Sequence, residues 1–109
     1  MNTSYIPWKS LSGSVCVGVL TEGWALADVA AVDGGDRRCF WVDVAFSESF
    51  ASVPLVQLGL TGFDMDQRHS SRLVLQVVQV QPEGFRAQIS TWRESLVYSV
   101  SFHWLAIGA

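Results

Sequence analysis

The sequence is short of charge, of lysine and of long apolar runs. Only 16% of its 109 residues are charged, and seven basic residues against ten acidic ones give a net charge of −3. Lys9 is the one lysine, and the other basic residues are arginines. A nucleic-acid-binding protein usually carries a clustered basic excess, which this sequence lacks. We therefore expect no nucleic-acid partner. We also expect no insertion into a membrane, because no apolar run approaches the ~18 residues that a transmembrane helix needs.

Motifs for catalysis and metal binding are also missing. There is no Gly-x-Ser-x-Gly, no Walker loop and no His-Glu-x-x-His, and no nucleophile–base pair is visible, so we do not expect an enzyme. His69 and His103 lie far apart in the sequence, which favours solvated or hydrogen-bonded histidines over metal ligands. Asp64 and Asp66 could bind calcium, but they offer two carboxylates where calcium prefers six or more oxygens. We therefore expect no cofactor and no metal.

The two cysteines and the N-terminus set few constraints. Cys16 and Cys39 could form one bridge or stay free, and we expect free thiols because unpaired cysteine behaves as a small hydrophobe. A zinc site is not expected, since there is no Cys-x-x-Cys. The N-terminus has no charged lead followed by an apolar block, unlike a signal peptide. A mature form would lack one as well, so the compartment stays open.

Half of the sequence is hydrophobic, and its regular pattern begins near residue 39. Residues 1–38 are rich in Gly, Ser and Ala and lack a steady period, so we expect an irregular N-terminal segment packed on a domain formed by residues 39–109. Within that segment, residues 23–32 favour a short helix. Residues 33–36 read Asp-Gly-Gly-Asp, which predicts a turn after it.

Alternating apolar residues after residue 39 predict strands. The strands cover residues 40–46, 54–60, 72–80, 85–90 and 96–104, with loops or turns at 62–71, 81–84 and 92–95. Residues 72–80 carry apolar side chains at both parities, which predicts a strand covered on both sides. Short strands separated by turns, with no long helix, indicate an all-β protein built as an antiparallel β-sandwich. Because such a small sandwich hides only about two-thirds of its unfolded surface, we expect an oligomer.

Polar and aromatic residues near the predicted loops suggest a sugar-binding site. The candidates are Asp36, Arg72, Trp92, Arg93 and Tyr98. The apolar C–H face of a pyranose packs on an indole or a phenol, and a carboxylate and a guanidinium together orient its hydroxyls. By parity Tyr98 shares a row with Val100 and Phe102, so a core tyrosine is an equal alternative.

A series of short motifs between residues 44 and 107 follows a specific order. The motifs are Val44-Ala45-Phe46, Phe50, Val53-Pro54-Leu55-Val56, Leu60-Thr61-Gly62-Phe63-Asp64, Ser71-Arg72-Leu73-Val74, Pro82-Glu83-Gly84-Phe85, Thr91-Trp92, Val97-Tyr98-Ser99-Val100 and Trp104-Leu105-Ala106. This series resembles the H-type lectin family, which includes the snail agglutinins and the C-terminal domain of discoidins. The Gly-Phe, Thr-Trp and final Trp elements together make the resemblance fairly specific.

The resemblance implies a fold, an assembly and a ligand class. It implies a six-stranded antiparallel β-sandwich that forms a homotrimer, and a dimer of trimers is compatible with it. It also implies binding of galactose-type sugars, above all N-acetylgalactosamine, near the protomer boundaries. The family's sugar contacts correspond to Arg72, Trp92 and Tyr98, and its aspartate corresponds to Asp36, or to Asp33 if the spacing shifts.

Two positions depart from the family pattern. Arg93 stands where snail members carry a histidine, so a longer and permanently charged donor faces the sugar and an acidic sugar becomes a candidate ligand. Ile89 replaces the family cysteine that would pair near Cys16, so that disulfide cannot form.

Two functions remain in competition. The first is a lectin that gains avidity from several sites on one trimer. The alternative is a structural trimerisation or adhesion module of a cell-surface or phage assembly that does not bind sugar.

Overall fold

The chain folds as an all-β, six-stranded antiparallel sandwich, as expected. The computed structural model describes residues 8–28 and 37–109. Its strands are β1 (Lys9–Gly18), β2 (Arg38–Ala45), β3 (Leu55–Met65), β4 (Val74–Gln81), β5 (Gly84–Thr91) and β6 (Val97–Gly108). Two three-stranded sheets form, one in the order β1-β6-β3 and the other in the order β2-β5-β4. All four strand pairings are antiparallel.

The core lies between the central strands of the two sheets. Alternate residues of β5 and β6 are buried, and they are Phe85, Ala87, Ile89, Val100, Phe102, Trp104 and Ala106. A central strand is flanked on both edges and covered on one face, so its inward residues lose most of their contact with water. This explains why the period-two pattern of β5 and β6 is clear in the sequence.

Aromatic rings fill one end of this core. Phe46 contacts Phe50, Phe85 and Trp104 with ring centroids 5.2–5.9 Å apart. Such tilted and edge-to-face pairs add about 0.5–1.5 kcal/mol each to the burial of their area. The indole of Trp104 also lies against Gly13 of β1, where a Cβ atom would meet the indole nitrogen at 2.7 Å. Glycine is therefore required at this position by the size of Trp104.

The expectation of an irregular segment over residues 1–38 is wrong at Lys9–Gly18. These residues form β1, which pairs along its whole length with β6, from Lys9 opposite Gly108 to Gly18 opposite Ser99. Serines and Cys16 face outward while Leu11, Val15 and Val17 pack against the core. The inward row therefore begins with Lys9 and is apolar beyond it, with Gly13 as a gap in the pattern of large side chains.

The helix expected over residues 23–32 is also wrong, as far as the structure describes it. Residues 21–28 form two tight turns, closed by hydrogen bonds from the Trp24 N–H to Thr21 and from the Asp28 N–H to Ala25. Gly23 has a φ of 84°, which favours glycine and is not helical. The rest of the expected helix and the turn at residues 33–36 lie outside the described residues.

Bulges explain two further differences. In β4 the pairing shifts between Val77 and Gln79, so Leu75, Val77 and Val80 all lie opposite buried residues of β5. Within one chain the strand is not covered on both sides, since Val78 is 41% exposed, and cover of the second face by another copy stays a prediction. In β3 a shift between Leu60 and Gly62 lets the strand continue to Met65, into the expected loop.

Cys16 and Cys39 are both free thiols, as expected. Among the described residues, no helix is long and apolar enough to cross a membrane.

Candidate functional site

A four-residue turn, Trp92–Ser95, joins β5 to β6 and forms the centre of the candidate site. The Ser95 N–H donates to the carbonyl of Trp92 over 3.4 Å, which closes the turn. Arg93 has a φ of 57°, a left-handed backbone conformation that is uncommon for a residue other than glycine. Such a conformation persists only where the surrounding structure holds it, and it occurs often at functional sites.

The buried guanidinium of Arg38 holds this turn. Arg38 is 6% exposed and donates to the carbonyl oxygens of Leu26 at 3.0 Å, Arg93 at 2.9 Å and Ser95 at 2.5 Å. Burial lowers the pKa of Arg38, and the negative charge of Asp28 opposes that shift. One side chain thus ties the segment before β2 to the backbone of the candidate site.

Arg72 reaches the same turn from the segment before β4. Its guanidinium donates to the Ser95 hydroxyl at 3.1 Å and lies 3.6 Å from the carboxylate of Glu94. The Ser95 hydroxyl in turn donates to the carbonyl of Ser70, and the Thr91 hydroxyl donates to the carbonyl of Arg72, both at 2.5 Å. Arg72 is therefore fixed beside the turn.

The side chains of Trp92 and Arg93 lie outside the hydrophobic core cluster. Trp92 is half-buried, and the guanidinium of Arg37 lies 5.1 Å from the centre of its ring, a cation–π distance. Arg93 is exposed. Glu94 pairs with Arg72 and leaves Arg93 without an ion pair among the described residues.

Tyr98 lies on a bulge at the start of β6. Asp64 pairs with Ser99 and Met65 with Val97, so Tyr98 has no partner on β3. Bulges are common beside functional sites because they redirect a side chain. Here the Tyr98 hydroxyl donates to Asp66 at 3.1 Å and is not part of the core cluster, so the core alternative for Tyr98 does not hold.

Asp66 is the acceptor at the centre of this second group. The guanidinium of Arg68 donates to both of its oxygens, and the backbone N–H of Arg68 donates at 2.8 Å. These bonds from Arg68, and then the bond from Tyr98, hold the pKa of Asp66 well below its usual range. The same carboxylate, followed by burial, raises the pKa of Tyr98. Tyr98 also borders a shallow groove of about 310 Å³ beside residues 16–21.

The lowered pKa of Asp66 predicts a pH-dependent stability. A carboxylate whose folded pKa lies below its unfolded value of about 3.8 contributes stability that is complete above that value and is lost as the pH falls through the folded value. We expect the stability of the wild type to fall more steeply than that of Asp66→Asn between about pH 4 and pH 2. Urea unfolding in pH steps measures this, with Asp64→Asn as the control that should keep the wild-type slope. Equal slopes for wild type and Asp66→Asn would contradict the prediction.

The structure connects some of the sequence candidates and not others. Arg72 contacts the turn that carries Trp92 and Arg93. The hydrogen bond of Tyr98 goes to Asp66, in the loop that leads to Arg72. Asp36 and its alternative Asp33 lie outside the described residues.

Three arginines were missed by sequence reasoning. Arg37 covers part of Trp92, Arg38 holds the turn, and Arg68 fixes Asp66. The sequence gives no sign that Arg38, at the start of β2, is buried while its neighbour Arg37 is stacked on the Trp92 ring. For Arg68, its position two residues after Asp66 was a usable sign, because Asp side chains often bond the backbone two residues on.

A calcium site at Asp64 and Asp66 finds no support in this geometry. The oxygens of Asp66 accept from Arg68 and Tyr98. Residues 8–28 and 37–109 contain no group of three His, Cys, Asp or Glu side chains arranged to hold a metal.

Comparison with known proteins gives both a family and a fold. The H-type lectin domain matches residues 41–107. A protein of Fuscovulum blasticum named "ATP synthase subunits region ORF 7" is 36% identical over 76 residues, which is 70% of this chain and 66% of that protein. The chain therefore spans slightly less than two-thirds of this relative.

Solved structures share the fold at low sequence identity. Discoidin II of Dictyostelium discoideum matches with a TM-score of 0.74 and 24% identity over 99% of this chain and 39% of its own. A tailspike of Pseudomonas phage phi297 matches with a TM-score of 0.54 and 16% identity over 92% of this chain and 15% of its own. The domain match covers more than half of the residues in their expected order. The chain belongs to the H-type lectin family.

Proposed function

We propose that the protein is a non-enzymatic lectin that binds galactose-type sugars, above all N-acetylgalactosamine, at the Trp92–Ser95 turn. The observation that carries the proposal is the contact of Arg72 with this turn. This contact supports the proposal because it fixes a guanidinium at the turn that begins with the half-buried Trp92, and a pyranose uses a guanidinium for its hydroxyls and an indole for its C–H face.

Each side chain has a proposed role. The indole of Trp92 supports the apolar face of the sugar, and Arg72 orients its hydroxyls. Tyr98 borders the ligand from the groove side, where Asp66 fixes the direction of its hydroxyl. Asp36, or Asp33 in its place, accepts from the sugar hydroxyls.

Calorimetric titration with N-acetylgalactosamine, galactose and glucose tests this function. We expect the two galactose-type sugars to bind and glucose to bind much more weakly. Arg72→Gln should weaken binding by roughly tenfold or more, because hydrogen bonds to a charged group contribute about 1.5–3 kcal/mol. Arg86→Gln is the matched control, since Arg86 pairs with Asp43 near the other end of the same sheet. Equal losses in the two variants, or no binding of any of the sugars, would refute the proposed site.

We further propose that three copies assemble through the outer face of the β2-β5-β4 sheet. Trp41 is 52% exposed in the middle of β2, on the face opposite the core, and Val78 of β4 is 41% exposed. Exposed apolar side chains on one sheet mark an interaction surface, and soluble homo-oligomers favour closed cyclic symmetry. The turn after β5 would then lie near the protomer boundaries.

Light scattering at micromolar concentration checks this assembly. We expect a mass three times that of one chain for the wild type. Trp41→Ser should convert trimers into monomers, because it removes the largest exposed apolar side chain from this face of the sheet. Leu20→Ser is the control and should remain trimeric, since Leu20 lies in the turn after β1 and is 99% exposed. A wild-type mass equal to one chain would exclude the trimer.

The alternative function is a structural trimerisation or adhesion module. The observation that favours it is the position of Arg37, whose guanidinium lies over the Trp92 ring where a sugar would pack. The likeness to a phage tailspike, over 92% of this chain, fits the same alternative. A trimer that binds no glycan on a broad array would favour this module over the lectin.

A further inference from the structure

Arginine is concentrated at one end of the sandwich. The arginines at this end are Arg37, Arg38, Arg68, Arg72 and Arg93, whereas Arg86 pairs with Asp43 near the opposite end. The chain as a whole carries a net charge of −3. The candidate site and its surroundings therefore hold five of the six arginines of the chain.

Three of these arginines are already engaged by protein groups. Arg38 bonds three carbonyl oxygens, Arg68 pairs with Asp66, and Arg72 pairs with Glu94. Their charges are compensated within the fold, or buried away from a ligand in the case of Arg38.

Arg37 and Arg93 differ from the other three. Both are exposed, and neither forms an ion pair with a carboxylate of the described residues. Arg37 lies over the Trp92 ring, and Arg93 follows Trp92 directly in the turn. The turn that carries the indole therefore has two guanidiniums without a carboxylate partner among the described residues, one stacked on the ring and one on the residue that follows Trp92.

The backbone of Arg93 is fixed in a way that serves this arrangement. Its left-handed φ of 57° is held by the hydrogen bond from Arg38 to its carbonyl oxygen. Because the main chain is anchored from the inside, the side chain is left to the solvent beside Trp92. A group held in an uncommon backbone conformation by a buried partner is preorganised for binding.

We propose that Arg37 and Arg93 form a subsite for an anionic substituent, a sulfate or a carboxylate, on a galactose-type glycan bound at Trp92. This inference rests on the proposed function and names its substrate class. A guanidinium offers up to five donors in a planar fork that matches both anions in a two-point contact. Binding of the anion also draws the Arg37 guanidinium away from the indole face. Arg37 then contacts the ligand and no longer covers the ring on which the sugar packs.

Calorimetry with three ligands tests the subsite. The ligands are N-acetylgalactosamine, its sulfated form and galacturonic acid, titrated into wild type at low and at high salt. We expect one or both anionic ligands to bind roughly tenfold more tightly than the neutral sugar at low salt. This preference should shrink as salt rises, because exposed charges are screened. The two anionic arms show whether sulfate or carboxylate is the preferred group.

Variants assign the preference to these two residues. The double variant of Arg37→Gln and Arg93→Gln should lose the preference for the anion, measured as the ratio of its affinities for the anionic and the neutral sugar. Arg93→His should lose part of it, because histidine is mostly neutral at pH 7. Arg86→Gln is the control and should keep the full preference.

The outcomes separate this inference from the lectin function. If the wild type binds the neutral sugar and shows no preference for either anion at low salt, the subsite is wrong and the lectin function stands. A preference that persists in the double variant also overturns the subsite. If none of the three ligands binds, the proposed function fails and the subsite fails with it.

Discussion

Replacing Arg38 with methionine is expected to lower the free energy of unfolding by about 3 kcal/mol and to abolish glycan binding. Methionine keeps much of the buried length of the side chain but supplies no donor. The carbonyl oxygens of Leu26, Arg93 and Ser95 would then lose their partner. A buried polar group left unpaired costs about 1–3 kcal/mol, and water that enters the space reduces the sum. The turn would also lose the anchor that holds the φ of Arg93.

Urea unfolding and sugar titration on the same protein measure both effects. Protein concentration must be held constant, because the stability of an oligomer depends on it. Arg38→Lys keeps the charge but not the fork, so it should recover only part of the stability. Arg86→Met removes the exposed partner of Asp43 and should change stability little, because solvent-exposed ion pairs contribute weakly. If Arg38→Met and Arg86→Met cost the same, Arg38 does not organise the site.

The pattern of the sequence predicted five of the six strands, and β1 is the exception. In β2, β5 and β6 the inward residues alternate with more exposed ones over residues 40–45, 85–89 and 100–107, because the opposite sheet lies over one face. β1 was missed because Gly13 takes an inward position, and the reason for that glycine is the ring of Trp104, which is 91 residues away in the chain. Bulges in β3 and β4 add a residue without a sequence signal, so parity arguments fail after Leu60 and Val77.

In the candidate site as well, residues could be predicted where residue type and order suffice, and not where their role depends on contacts between distant parts of the chain. Arg72 and Trp92 could be proposed because their residue types match the chemistry of a sugar and their order matches the H-type lectins. Arg38 could not, because a buried arginine is rare and its role depends on carbonyls that come together only in the fold. Arg37 and Arg38 are adjacent and of the same residue type, but Arg37 is stacked on Trp92 at the surface and Arg38 is buried. This difference depends on the pairing of β2 with β5, which the sequence does not show.

Replacing Trp92 with alanine is expected to abolish sugar binding and to leave the melting temperature nearly unchanged. Trp92 is half-buried and is not among the residues of the hydrophobic core cluster. Its ring contact is with the exposed Arg37, so its loss opens a surface position and not a cavity. A sugar bound at this site loses the apolar surface on which its C–H face packs, and the remaining polar contacts must compete with water.

Trp104→Ala is the matched control, because it truncates the same side chain in the core. Trp104 is 8% exposed and contacts Phe46 and Phe85 at 5.5–5.6 Å, so its truncation should cost about 3–5 kcal/mol. Thermal unfolding and calorimetric titration of both variants at one protein concentration separate binding from stability. A fall in melting temperature for Trp92→Ala as large as that for Trp104→Ala would assign Trp92 to the core and remove the sugar platform. Unchanged sugar affinity in a folded Trp92→Ala would remove it as well, because the proposed packing of the sugar depends on this indole.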